Sequence, residues 1–396
     1  MTDPIDLADL FDDSETLPLD QQEEESDLPR DKMGDPSEAV LFNTDWTVST
    51  LVQQIERGNV ELDPDFQRRA AWDPRRRSQL IESLIIGLPI PNVVLAEHKK
   101  GRGQFIVIDG KQRLSTLFDF VSKESPRNFK LRGLTIRTDL NGMSFDDLKK
   151  KSPNDANFFE NAPIRTVVVR NWPNEYFLYV IFDRLNSGSL PLSAQELRRA
   201  LIPGPFLTFV DDYLEGSEIA RSALGFSSLD RRMRDSELVL RFVALEKYYP
   251  DYGGDFKAFL DRPVAYFNED WEGRRSEAEQ IFKRLDQALS VALEVFDGEP
   301  FRKWNGQAFE RRMNRAIFDC ITRFYAEASI ADSAIVHKKE TVDLLKKLLD
   351  GDSEFKRSIE QTTKTPHAME TRLSVWGGEL AKILGLTYDA TVFRIR

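Results

Sequence analysis

A chain of 396 residues with 27 Phe and 6 Trp can bury a large core and is long enough for two or three domains. Its single cysteine, Cys320, excludes an internal disulfide and a cysteine-based zinc site, and His98, His337 and His367 are too scattered for a histidine-rich metal centre. No run approaches the ~20 apolar residues that span a bilayer, and no basic start precedes an apolar segment, so the expected location is the cytoplasm, away from membranes.

The net charge of −11 is unevenly spread. Residues 1–38 hold 14 acidic and 2 basic residues, whereas the remainder holds 52 acidic and 53 basic ones. Residues 1–40 therefore read as a disordered acidic tail, poor in aromatics and dotted with proline. Within it, Ile5, Leu7, Leu10 and Phe11 sit among aspartates, a segment that either folds as a short helix on a partner's groove or serves as a plain solubilising tail.

Along the body, Trp46-Thr47-Val48 predicts a short strand, followed by a helix that Ser49 caps and Gly58 stops. Asp73-Pro74 is a strong helix start, with Leu80, Ile81, Leu84 and Ile85 as the apolar face. Residues 93–96 predict a strand, 98–103 a hairpin loop and 105–109 the returning strand. A strand over 164–169, a buried helix over 174–185 and a capping box opening at Ser193 follow. Residues 236–249, 275–296, 307–326, 342–349 and 369–384 show helical periodicity. The expected fold is α+β over 41–203, followed by an all-helical domain over 204–396.

The richest chemistry lies where the apolar run 105–108 ends in Asp109-Gly110-Lys111-Gln112-Arg113. A buried strand, a tight turn and a helix start place unpaired N–H groups and the positive dipole end together, a ready site for phosphate. Gly110 lets the backbone approach an anion, Lys111 and Arg113 add charge, and Asp109 could hold a metal ion or polarise a water. A solvated hairpin end is the alternative, at even weight on these residues alone.

Arg68, Arg69, Arg75, Arg76 and Arg77 surround Trp72, a pattern suited to nucleic-acid phosphates, although a solvated helix turn produces it too. Asn186 lies in a polar helix–helix loop, and Arg231, Arg232 and Arg234 open a later helix.

In this order, FQRRAAW (66–72), LIESLIIGLPIP (80–91), VIDGKQRLSTL (107–117), FDRLNSGSLPLSAQELRRA (182–200) and RMRDSELVLRF (232–242) resemble the N-terminal domain family of the GmrSD restriction endonucleases. The resemblance implies a ParB/sulfiredoxin-like fold and a DGxQR motif that binds and hydrolyses nucleotide in proteins restricting phage or modified DNA. Carried over by position, Asp109, Gln112 and Arg113 are the catalytic candidates. Gln67, Arg68, Gly110, Lys111 and Asn186 are the nucleotide-binding ones. Lys111 stands where many members have Gln. Arg69, Arg75, Arg76, Arg77, Arg231, Arg232 and Arg234 remain the candidate DNA contacts.

Fused members carry a C-terminal HNH-type nuclease rich in His and Asn, which this sequence does not offer, so the stand-alone form is expected. The implied cofactors are a nucleoside triphosphate (ATP, GTP or CTP) and Mg2+. The implied partners are DNA and a separately encoded nuclease or defence subunit, with self-association open. The expected role is an NTPase gating DNA engagement or that nuclease. The alternative is a non-catalytic sensor module that binds nucleotide or DNA.

Overall fold

The structure, a computed structural model, describes residues 34–62, 72–99, 101–185, 193–230, 232–249, 251–361 and 363–395. Most of the acidic tail, together with Gln67, Arg68, Arg69, Asn186 and Arg231, lies outside them. The described residues fall into two units that divide between Leu201 and Ile202.

The first unit is built on a mixed five-stranded sheet in the order β1-β5-β3-β4-β2. The strands are β1 (Val40–Thr47), β2 (Val60–Glu61), β3 (Val93–Glu97), β4 (Phe105–Asp109) and β5 (Pro163–Arg170). β1 runs antiparallel to β5, β5 parallel to β3, β3 antiparallel to β4 and β4 parallel to β2. Both faces of β3 and β4 are covered, which is why these strands read as continuous apolar runs. On one face Val93, Leu95, Phe105 and Val107 pack against α1 (Val48–Glu56), α2 (Pro74–Ile85) and α3 (Lys111–Val121), with α4 (Phe145–Lys151) and α5 (Pro153–Asn161) beyond. On the other, Val94, Ala96, Ile106 and Ile108 meet α6 (Glu175–Leu185) and α7 (Ala194–Leu201).

The start of α2 behaves as its sequence predicts. The Asp73 carboxylate accepts from the N–H groups of Arg75 (2.8 Å) and Arg76 (3.1 Å). The capping box at Ser193 also forms, its hydroxyl accepting from Glu196 N at 3.1 Å. β1 departs from expectation. It starts at Val40, not Trp46, because Val40 to Thr47 pair along the whole of β5. Val40, Leu41 and Phe42 are all half-exposed or more, so this edge strand lacks the alternation that marks a half-buried one.

The second unit is helical around one large apolar core, with two short ribbons, β6 (Arg302–Trp304) with β7 (Phe309–Met313) and β8 (Tyr388–Asp389) with β9 (Arg394–Ile395). The continuous helix expected over 307–326 is therefore corrected. Its first part is β7, and the helix Arg315–Tyr325 begins only after Asn314, whose side chain accepts from Ile317 N at 2.9 Å. The overlooked signal is Asn305-Gly306, a hairpin dipeptide, with Gly306 at φ +94°.

Ion pairs hold this unit together. Asp319, 1% exposed, accepts from Arg241 Nε at 2.9 Å and pairs with Arg372 at 3.2 Å. Glu246 receives Arg284 at 2.6 Å, Arg323 at 3.1 Å and Arg394 at 3.1 Å. Arg394 also pairs with Glu327, so it latches β9 onto two helices. Arg394→Ala should cost roughly 1–2 kcal/mol, between a surface pair and a buried one, since Glu246 keeps two partners. The check is the urea midpoint of the intact protein at constant slope.

The unit's cysteine and one of its histidines sit in ordinary structural places. Cys320 is buried, and burial pushes its thiol pKa up, away from reactivity. The His337 ring lies 2.9 Å from the Ser333 carbonyl at a helix end. Among the described residues no helix is long and apolar enough to cross a membrane.

Candidate functional site

The β4–α3 turn forms as the sequence predicts, and its residues engage one another. Gly110 occupies the N-cap of α3 at φ +97°, a left-handed conformation that glycine adopts without strain. Among the described residues no side chain caps this helix start. Arg113 reaches back one turn, and its Nη2 donates to Asp109 Oδ2 at 2.7 Å and to the Asn92 carbonyl at 2.9 Å. A Cβ on Gly110 would stand 3.0 Å from Val93 Cγ2 and 3.2 Å from Arg113 Nη2. The glycine therefore makes room first for the chain's own guanidinium, rather than only for a ligand.

Arg113 is thus not the exposed residue that its place in the first helical turn implies. It is 7% exposed, and its Nε is buried with no hydrogen-bond partner among the described residues. Lys111 is also buried, at 5% exposure. Asp109 keeps a quarter of its side chain open. Gln112 is half-buried, and its Oε1 accepts from Trp72 N at 3.1 Å, tying the segment before α2 to the turn.

The three consecutive arginines of α2 go three ways, as 100° steps around a helix require. Arg75 is exposed and lies over Gly133. Arg76 stacks on Trp72, its guanidinium carbon 4.5 Å from the ring centroid. Burial holds its pKa below the ordinary arginine value; Asp73 opposes that shift, and the nearby charge of Arg113 adds to it. Because Trp72 N donates to Gln112, this stack ties Arg76 to the turn, a placement that treating the arginines as one DNA-facing group overlooked. The usable signal was the Asp73 cap, which fixes the helix phase.

Arg77, expected on the same basic surface, is instead buried. Its Nη2 pairs with Asp119 at 2.7 Å and its guanidinium covers Phe129 at 4.0 Å. Asp119 also accepts from Ser125 Oγ at 2.6 Å. Glu82, to which the sequence reading gave no role, is 4% exposed and accepts from Ile136 N at 2.9 Å and Arg137 N at 2.6 Å. These bonds fix α2 against the unit and so fix Trp72 and Arg76 at the turn.

In the second unit Arg232 and Arg234 are half-buried at the start of the helix Arg234–Tyr248. Their backbone N–H groups donate to the Asp230 carboxylate at 2.8 and 3.2 Å. Among the described residues no group of three His, Cys, Asp or Glu gathers that could hold a metal.

The first unit is thus an α+β domain with a polar, arginine-flanked turn between a buried strand and an uncapped helix. The family model of the GmrSD restriction endonuclease N-terminal domain matches residues 48–203. No curated protein and no solved structure matches the chain. The match points to a component of a restriction or defence system.

Proposed function

We propose that the first unit binds a nucleoside triphosphate at the β4–α3 turn and hydrolyses it, gating DNA engagement or a partner nuclease within a restriction system. The observation that carries this reading is the link from Arg76 to the start of α3: it stacks on Trp72, whose N–H donates to Gln112 of the turn. An arginine fork and a helix N-terminus both suit the oxygens of a polyphosphate. In this scheme Arg76 and the α3 N-terminus hold the phosphates. Arg113 is a positioning residue that orients Asp109. Gln112 anchors Trp72 and keeps its amide N–H2 for the ligand. Mg2+ bound with nucleotide is commonly held by one carboxylate plus the phosphates, and Asp109 fits that role; the ion would neutralise phosphate charge. Hydrolysis at such a site rests on positioning and charge.

One observation favours the non-catalytic sensor instead. Asp109 Oδ2 is committed to Arg113, which leaves less of the carboxylate for a water or a metal. One experiment decides between them: phosphate release from ATP, GTP and CTP, with and without phage DNA, alongside binding of each nucleotide. Turnover that Arg76→Ala weakens supports the enzyme. Tight binding without release supports the sensor, and neither binding nor release removes the nucleotide reading.

A further inference from the structure

On the sheet face opposite α2 and α3, the β1–β5–β3 part carries a cleft of about 310 Å³ lined by Asn43, Thr44, Asp45, Asn92, Arg165, Thr166 and Val167. Its shape follows from register. Asp45 pairs with Arg165 and Asn43 with Val167 across β1 and β5, while Val93 pairs with Thr166 across β3 and β5. Strand alternation puts Asn43, Asp45, Arg165 and Val167 on one face of the sheet. Asn92, one residue before β3, closes the end of the cleft nearest the turn.

Three properties of the lining define what it can hold. Its volume is near the lower limit for small-ligand pockets, which run roughly 300–1,000 Å³. Its charges offset, one carboxylate against one guanidinium, so it offers nothing to a triphosphate. Among the described residues, the side chains of Asn43, Asp45, Asn92 and Arg165 make no hydrogen bond, and all four are exposed. Two amides supply paired donors and acceptors, a carboxylate accepts from hydroxyl or exocyclic amino groups, and Val167 gives an apolar floor. That set matches the neutral, polar half of a nucleotide.

The cleft and the turn are also joined through one guanidinium. Arg113 Nη2 donates to the Asn92 carbonyl at the cleft's rim as well as to Asp109. We infer that the cleft is the nucleoside subsite: it takes the base and ribose of a ligand whose phosphates lie on Arg76 and the α3 N-terminus. This rests on the nucleotide reading above and deepens it. With no aromatic ring among the described lining residues, recognition is by hydrogen bonds, so the subsite discriminates among bases rather than accepting any by stacking.

The test compares binding of ATP, GTP, CTP and inorganic tripolyphosphate to the full chain and to its Asn43→Leu, Asp45→Ala and Arg165→Gln variants. All three side chains are exposed, so melting curves should match the parent's. The preferred nucleotide should bind about tenfold or more weakly to Asp45→Ala, the loss expected for one or two hydrogen bonds. Asn43→Leu should narrow the preference among bases, and tripolyphosphate should bind all forms alike. Unchanged nucleotide affinity in all three variants overturns the subsite and leaves the phosphate site standing. Equal affinity of the parent for every nucleotide and for tripolyphosphate does the same. A parent that binds no nucleotide and no tripolyphosphate removes both.

Discussion

Arg113→Ala is expected to abolish nucleotide turnover and to lower the melting temperature together. The side chain spans the turn and the sheet, donating to Asp109 at one end and to the Asn92 carbonyl at the other. Its removal releases Asp109, leaves that carbonyl without this donor and takes one positive charge from beside Arg76. Misplacing a reacting group by about 1 Å can lower turnover roughly 10²-fold. The structural loss is about 2–3 kcal/mol, below the figure for a fully buried pair because Asp109 is a quarter exposed. For the transition of a unit the size of the first one, that corresponds to a fall of roughly 4–12 °C. Arg113→Lys keeps the charge but not the fork, so it should recover part of the stability and little of the turnover. Unchanged turnover in a normally melting Arg113→Ala protein would exclude this turn as the nucleotide site.

The elements whose sequence carries its own punctuation were legible. Asp73-Pro74, the Ser193 capping box and the β4–α3 turn each announce a local geometry, and each forms. What the sequence could not convey is tertiary. Nothing in the order Arg75-Arg76-Arg77 reveals that Asp119, 42 residues on, is buried at the right distance to claim the third. Likewise Arg113 stands in a first helical turn, where exposure is the ordinary outcome, yet it is buried and donates to the Asn92 carbonyl, 21 residues back. The cleft was invisible for the same reason. Asn43 in β1, Arg165 in β5 and Asn92 just before β3 come together only once the sheet order is known.

The same contrast gives the largest effect expected on stability. Arg77→Ala leaves Asp119, 1% exposed, with Ser125 as its remaining side-chain partner among the described residues. Removing one member of a buried pair costs roughly 3–5 kcal/mol, because the other charge stays in a poorly solvating place. Burial already pushes the Asp119 pKa up against the pull of Ser125 and Arg77, so the variant should hold this carboxyl protonated to higher pH. The melting temperature should fall by roughly 6–20 °C. Arg75→Ala, at an exposed position, should stay within about 0.5 kcal/mol of the parent. If α2 contacts DNA, that substitution weakens binding and flattens its salt dependence, whereas Arg76→Ala should weaken nucleotide binding. The double variant Arg77→Met, Asp119→Leu separates charge from packing. Replacing both members of a buried pair with apolar groups of similar size is often close to neutral, so it should regain most of the lost stability. A double variant as unstable as Arg77→Ala would show instead that the guanidinium's packing over Phe129, and not its charge, holds α2 in place.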